Sequence, residues 1–374
     1  METGVRVRTP GGDRTIENDR RCLVIAEAGT SHNGDLTRGG ELVAAAAEAG
    51  ADCVKFQAVF ADEILHPLSG EVPLPGGPVT LYRRFEELEA PREFYESLKA
   101  EAEKRGLLFL CTGFGPKSLA ILEEMGVTVH KVASPELNYT GFLAALAGCD
   151  KPVILSTGVS LLSDIERAVR LIPAKRMLLH CVTAYPAPEE EYNLLLVPLL
   201  NRVFGVPVGI SDHSEDPLAV PLTGIAHGAA ILEKHLRLDG ATEGLDDPIA
   251  LGPGEFAKMV REMRNLESVP SGDRPARCID MIGGERFFRI SGDGIKRLAP
   301  SERANYGRTN RSIHALAYLP AGTRLTETNT AVLRTEKYLD PGIHPRFHPR
   351  ILGARITRPV AAGQGITWNN ILEI

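Results

Sequence analysis

The chain has 374 residues, 43% hydrophobic and 24% charged, with a formal net charge of -6. These proportions belong to a folded globular protein and exclude a disordered, collagenous or coiled-coil chain; the mild acidity, with no block of lysines and arginines, gives no electrostatic basis for binding nucleic acid or a membrane surface. No apolar run reaches the roughly 18 residues of a membrane span, and 1–21 is a polar leader without a signal-peptide core, so the expectation is a cytoplasmic protein acting on a small molecule.

Six cysteines never form a CxxC pair, which speaks for reduced thiols and against a disulfide framework or a zinc knuckle. The 37 glycines and 26 prolines exceed the usual share of about 12% and predict many short elements. After the leader, short β-branched runs alternate with amphipathic stretches. The first strand is Leu23–Ala26, and its helix Leu36–Ala49 is capped by Asp35 and closed by Gly50. The second strand, Cys53–Phe56, is followed by a loop over 61–80 and a helix over Pro91–Arg105. Strand three is Leu107–Cys111 with helix Lys117–Met125, and strand four is Val127–Val132 with helix Phe142–Ala147. The fifth unit is Pro152–Leu155 and Leu161–Leu171, and the sixth Met177–Val182 and Asn193–Phe204. The seventh is Val206–Ile210 and Pro217–His227, and the eighth Ala230–Lys234 and Pro253–Leu266. Eight such units predict an α/β fold, a (β/α)8 TIM barrel over 1–268. An open doubly wound sheet is the alternative, but no GxGxxG turn follows the first strand.

Residues 269–306, rich in glycine and charge, read as a linker with a short strand at Phe287–Ile290. The remainder, 307–374, carries an internal echo: Leu319-Pro-Ala-Gly-Thr-Arg-Leu-Thr326 and Val360-Ala-Ala-Gly-Gln-Gly-Ile-Thr367. Each reads as strand, glycine turn and strand, which predicts a small β-rich domain packed on the barrel or on a neighbouring subunit.

In such a barrel the site lies at the C-terminal ends of the strands. There the chain puts Glu27, Lys55, Gln57, Thr112, Lys131, Ser134, Glu136, Ser156, Thr183, Tyr185, Ser211, His213, Glu233 and His235. A charge in that position is costly unless paired or bound to a ligand. Lys55 and Lys131, with Gln57, Ser134 and Ser156, make a cradle for a phosphate and a carboxylate; the alternative is that the lysines simply pair with Glu27 and Glu233. His213 and His235, at the mouths of adjacent strands, form a candidate metal pair for Mn, Fe or Zn, or else are core histidines bonded to Asp212 and Glu233. Two protein ligands would leave positions open for water and substrate. Asp246 and Asp247 are further ligands or acid/base groups, or an ordinary acidic turn.

The runs Ile25-Ala-Glu-Ala-Gly-Thr-Ser-His-Asn-Gly34, Ala49-Gly-Ala-Asp-Cys-Val-Lys-Phe-Gln57, Lys131-Val-Ala-Ser-Pro-Glu136, Leu155-Ser-Thr-Gly158, Gly209-Ile-Ser-Asp-His213 and Glu233-Lys-His235 together resemble the N-acetylneuraminate synthase family, which includes sialic, pseudaminic and legionaminic acid synthases. Arg311-Ser312 and Pro341-Gly-Ile-His-Pro345 resemble its C-terminal antifreeze-like (SAF) domain. The resemblance implies condensation of phosphoenolpyruvate with an aldose, a divalent metal (Mn2+ or Mg2+), and a domain-swapped homodimer in which each C-terminal domain caps the partner's barrel. It implies that Glu27, Lys55, Lys131, Glu136, Glu233 and Asp246 are catalytic, with Glu27 as acid/base. Gln57, Thr112, Ser134, Ser156, Thr183, Tyr185, Ser211 and Arg334 would bind substrate, and His213 and His235 the metal. The chain departs from the family's pattern at Gly244-Leu-Asp-Asp247, at Cys111-Thr-Gly-Phe-Gly115 and after Arg334, over Thr335–Asp340. All three lie on the acceptor side, so the expectation is an ordinary donor and an unusual acceptor. A Schiff-base aldolase using Lys55 or Lys131 and a non-catalytic sugar-binding barrel are the other readings.

Overall fold

A computed structural model describes residues 4–74, 77–336 and 338–371; 1–3 of the leader, 75–76 of the expected loop, and 337 and 372–374 of the C-terminal domain lie outside the described residues. The leader is a structural element. Val5–Thr9 (β1) and Gly12–Ile16 (β2) form an antiparallel hairpin, in which buried Val5 and Val7 alternate with exposed Arg6 and Arg8. Val5, Val7 and Ile16 pack against Leu23, Ile25, Leu108 and Ile154. The hairpin thus closes the end of the barrel from which the strands start.

The barrel strands are β3 (Leu23–Gly29), β4 (Cys53–Gln57), then, after a hairpin of β5 (Glu71–Leu74) and β6 (Gly77–Thr80), β7 (Leu108–Thr112), β8 (His130–Val132), β9 (Val153–Ser156), β10 (Arg176–Cys181), β11 (Val208–Asp212) and β12 (Ile231–His235). They close in sequence order, every neighbouring pair parallel, with β12 joined to β3. The expected loop over 61–80 holds the short helix Ala61–Ile64 and the β5–β6 hairpin, and the helix Leu81–Leu88 follows.

The expected linker is corrected: it contains two helices, Arg274–Ile282 and Gly284–Ser291, and no strand at Phe287–Ile290. Its glycines act as punctuation, Gly283 at φ 88 between the helices and Gly292 at φ 68 after them. Phe287 and Ile290 are one helical turn apart and pack with Cys278 into the core between strands and helices.

The C-terminal domain has one two-stranded sheet, β13 (Arg311–Ala315) with β14 (Thr330–Arg334). The two halves of the internal echo meet across an antiparallel bridge, Leu319 to Val360, around a core that includes Ile313, Leu325, Val332, Ile356 and Ile366. The domain is a cap. Asn138 exchanges two hydrogen bonds with the backbone of Arg311, and the Arg311 guanidinium donates to the carbonyls of Glu63 and Phe114 at 2.6 and 2.9 Å. The cap sits over the C-terminal face of its own chain's barrel, where Thr309 and Arg334 line the cavity. Among the described residues no helix is long and apolar enough to cross a membrane.

Candidate active site

Strand alternation decides which side chains face inward. On β11 and β12 and just beyond β11, Ser211, His213, Glu233 and His235 line a cavity of about 240 Å³ at the C-terminal end of the barrel, while Asp212 and Lys234 turn outward and pair with each other at 2.8 Å. On β4 the same rule sends Lys55 and Gln57 inward. Every residue expected to bind substrate, both candidate metal ligands, and all the expected catalytic residues except Glu136 line this cavity.

At its floor lies a buried chain of alternating charges. Lys55 Nζ is 3.1 Å from Glu27 Oε2 and 3.1 Å from Glu233 Oε2, and Lys131 Nζ is 3.7 Å from that same Glu233 oxygen. The lysines are therefore paired to the two glutamates, the alternative stated above, and line the cavity as well. Hydroxyls complete the arrangement: Lys131 donates to Ser156 Oγ at 2.7 Å, Ser211 Oγ donates to Glu233 Oε1 at 2.9 Å, and Lys55 donates to Thr112 Oγ1 at 3.4 Å. Gln57 Nε2 donates to Glu27 Oε1 at 2.8 Å.

The environments of the four charges differ. Burial pushes the Glu27 carboxyl up to about 7, outweighing Lys55. Burial would raise Glu233 too, but Lys131 and Lys55 together hold it down at about 2. Burial pushes the Lys131 ammonium down to about 8 despite Glu233. Lys55, equally buried, is held above the ordinary lysine value by Glu233 and Glu27. One carboxyl titrates near neutrality while its neighbour stays ionised, the separation expected of a proton-transfer site.

Two glycines admit these groups. Gly29 has φ 54, and a Cβ there would lie 3.3 Å from Gln57 Nε2 and 3.4 Å from Asp246 Oδ2. A Cβ on Gly158 would run into Thr183 Oγ1 and come within 2.9 Å of Ser134 Oγ.

His213 Nδ1 donates to the Val182 carbonyl at 2.9 Å, and its Nε2 lies 3.4 Å from Ser211 Oγ; burial would lower its pKa, but Cys181 and the Val182 carbonyl push it up to about 9. The His235 ring centroid is 5.5 Å from that of His213, its Nδ1 is 3.8 Å from Asp246 Oδ2, and burial, then His213, push it well below the ordinary histidine range. Two imidazoles and a carboxylate thus stand at one corner of the cavity, a donor set of the kind a divalent ion takes, although their ligand atoms do not all lie within 4.8 Å of one another. Tyr185 stacks on His213 at 4.3 Å. Asp247 does not join this corner: it accepts from Ser31 Oγ and the Gly244 amide, both at 2.7 Å, and so shapes the turn. A separate group that could hold an ion, Glu123, His130 and Cys149, is already served by a cation, Lys151, 2.7 Å from Glu123.

Glu136 is placed elsewhere than expected. It is buried outside the cavity lining and held by two arginines of the cap: Arg334 Nε and Nη2 donate to its two oxygens at 2.9 and 3.0 Å, and Arg311 Nη2 lies 3.0 Å from Oε1. Paired to both arginines and outside the cavity lining, it joins barrel to cap. Arg334 itself lines the cavity, its guanidinium over the Phe114 ring at 5.5 Å.

A family model for the NeuB family matches residues 42–274, and one for the SAF domain matches 310–372. The chain belongs to the NeuB family. Among its NeuB relatives, the spore coat polysaccharide biosynthesis protein SpsE of Bacillus subtilis is 33% identical, with 96% of each chain covered; the crystal structure of SpsE superposes with a TM-score of 0.80 over 96% of this chain and 98% of that one, at 32% identity. The N,N'-diacetyllegionaminic acid synthase of Campylobacter jejuni is 31% identical over 91% of this chain and 97% of its own. The crystal structure of the N-acetylneuraminic acid synthetase of Leptospira borgpetersenii in complex with citrate matches with a TM-score of 0.63 at 28% identity, covering 82% of this chain and 96% of that one.

The structure adds wall residues the sequence reading did not single out: Phe85, Phe114, Leu245 and Thr309. Phe85 lies on the helix Leu81–Leu88, and its amphipathic spacing was the available signal. Thr309 and Leu245 lie on loops, where periodicity carries no information.

Proposed function

We propose that this chain is a sugar-acid synthase that condenses phosphoenolpyruvate with an aldose to give a 3-deoxy-2-keto sugar acid and inorganic phosphate. The buried Lys55–Glu233–Lys131 chain, flanked by Ser134, Ser156, Thr183 and Ser211, carries the reading. Two fixed ammonium groups with converging hydroxyls suit a ligand bearing a carboxylate and a phosphate on adjacent atoms. The relatives named above, a legionaminic acid synthase and a sialic acid synthetase, are of this class.

In the reaction, C3 of the enol phosphate bonds to the aldehyde carbon, whose oxygen takes a proton; water adds at C2, and phosphate leaves by cleavage of its bond to C2. Lys55 and Lys131 hold the negative charge on the carboxylate and phosphate throughout. Glu27, with its carboxyl near 7, exchanges the proton beside the reacting carbons, and Gln57 orients it. His213, His235 and Asp246 would hold a divalent ion, which when bound supplies Lewis acidity toward the aldehyde oxygen. Phe85, Phe114, Leu245, Thr309 and Arg334 wall the acceptor side. Three of these lie in or beside the segments that depart from the family's pattern, which supports an acceptor other than N-acetylmannosamine. An exchanged homodimer would place the same cap over the same face from the neighbouring chain.

A panel of aldoses with phosphoenolpyruvate, read by phosphate release, tests both parts. Release with no aldose would overturn the reaction; N-acetylmannosamine turning over as well as the best member would overturn the acceptor claim. Lys131, whose ammonium is pushed down to about 8, is the lysine a Schiff-base route would use. Its trapping by borohydride, without phosphate release, would favour that route.

A further inference from the structure

Val159 is a buried β-branched residue at φ 41, a left-handed conformation that such residues rarely adopt unless their surroundings impose it. It directly follows Ser156-Thr157-Gly158, the turn after β9. That turn walls the donor half of the cavity: Ser156 Oγ accepts from Lys131, and the Gly158 amide donates to Ser134 Oγ at 3.0 Å. Both backbone groups of Val159 are held by side chains from the segment that leads into the cap. Its amide donates to Glu302 Oε1 at 2.7 Å, and its carbonyl accepts from Asn310 Nδ2 at 3.2 Å. The same Glu302 oxygen accepts from the Thr183 amide, also at 2.7 Å, so one buried carboxylate ties the turns after β9 and β10 together. Its other oxygen accepts from the Ala299 amide at 3.2 Å, which anchors the carboxylate in its own short turn Pro300–Glu302.

We infer that Glu302 is a positioning residue for the donor site: supported by Asn310, it holds the left-handed Val159 and the Thr183 backbone so that Ser134, Ser156 and Thr183 converge on the phosphate of phosphoenolpyruvate. Glu302 touches neither the cavity nor a reacting atom, and its effect passes through the two turns. It also makes donor binding depend on the segment that carries the cap. The inference rests on the function proposed above.

The test is a binding titration of phosphoenolpyruvate to the full-length protein by calorimetry, with steady-state kinetics alongside. Glu302→Ala should weaken phosphoenolpyruvate binding and raise its KM roughly tenfold, while the acceptor KM stays within about twofold. Glu302→Gln keeps a carbonyl oxygen for the Val159 and Thr183 amides but sets its NH2 against the Ala299 amide, so its KM should lie between those of wild type and Glu302→Ala. Adding Val159→Gly to Glu302→Ala makes the left-handed conformation freely available and should recover a good part of the lost affinity. Should Glu302→Ala fail to fold, Asn310→Ala should show the same selective rise, smaller in size. Equal phosphoenolpyruvate binding by wild type and Glu302→Ala, or equal losses toward donor and acceptor, would overturn the positioning role alone. A wild type that binds no phosphoenolpyruvate would overturn the proposed function and this inference with it.

Discussion

Glu136 offers the sharpest test of how cap and barrel are joined. Replacing it with alanine deletes the bidentate pair with Arg334, at 2.9 and 3.0 Å, and the contact with Arg311 at 3.0 Å. Breaking a buried ion pair by removing one partner costs about 3–5 kcal/mol. Arg311 keeps carbonyl acceptors at Glu63 and Phe114, and Arg334 can turn toward the open cavity, so the lower figure, about 3 kcal/mol, applies. The loss should fall on the cap. The single tryptophan, Trp368, lies in the cap with its ring against Phe347 at 5.1 Å, so its fluorescence reports the cap while far-UV circular dichroism is dominated by the barrel helices. Two transitions rather than one are to be expected of such a chain. In urea, with an m-value of about 1–3 kcal/mol per M, the tryptophan midpoint of Glu136→Ala should fall by about 1–3 M, and the circular dichroism midpoint should move less. Unchanged midpoints together with lost turnover would refute this reasoning and return Glu136 to a role in the chemistry.

The metal corner predicts that His213→Ala and His235→Ala each lose saturable Mn2+ binding in a calorimetric titration of the protein alone, whereas His130→Ala, at the start of β8, does not; Mn2+ binding retained in both cavity variants would refute the assignment. Glu27 predicts a pH dependence of stability. Burial raises its folded pKa from 4.5 to about 7, so its contribution is full below the lower value and is lost as pH rises through the upper one. The melting temperature of Glu27→Gln relative to wild type should therefore climb between about pH 5 and about pH 8, and a flat difference across that window would contradict the assignment.

The strand-borne lining of the cavity was legible because short strands impose a period of two and the barrel imposes which end is used. Lys55 with Gln57, Ser211 with His213, and Glu233 with His235 each stand two residues apart, so one inward-facing member brings the other. What escaped has no local signature. The resemblance implied a catalytic Glu136, and its ion pairs are with arginines 175 and 198 residues further along. Glu302 reaches back 143 residues to Val159. In the helices Arg274–Ile282 and Gly284–Ser291, flanking glycines masked an apolar spacing that was present, and in the leader the three apolar residues of the hairpin were hidden among arginines.

The two halves of the cavity also differ in how freely they can change. Every charge at the floor is buried and answered by another, Glu27 by Lys55, and Lys55 and Lys131 by Glu233. Replacing Lys55 leaves Glu27, and replacing Glu233 leaves Lys131, without its ion-pair partner in a medium that penalises bare charge. The remaining walls of the cavity obey no such constraint. Phe85 stands on a helix over the mouth, Leu245 and Thr309 on loops, and Arg334 on the cap, where Glu136 rather than a donor-site group balances its charge. A substitution there alters shape and local packing and leaves the Lys55–Glu233–Lys131 chain untouched. Of the departing segments, Cys111–Gly115 and Gly244–Asp247 supply Phe114 and Leu245 to these walls, and the third follows Arg334 directly, while Thr112 of the first reaches the floor at Lys55.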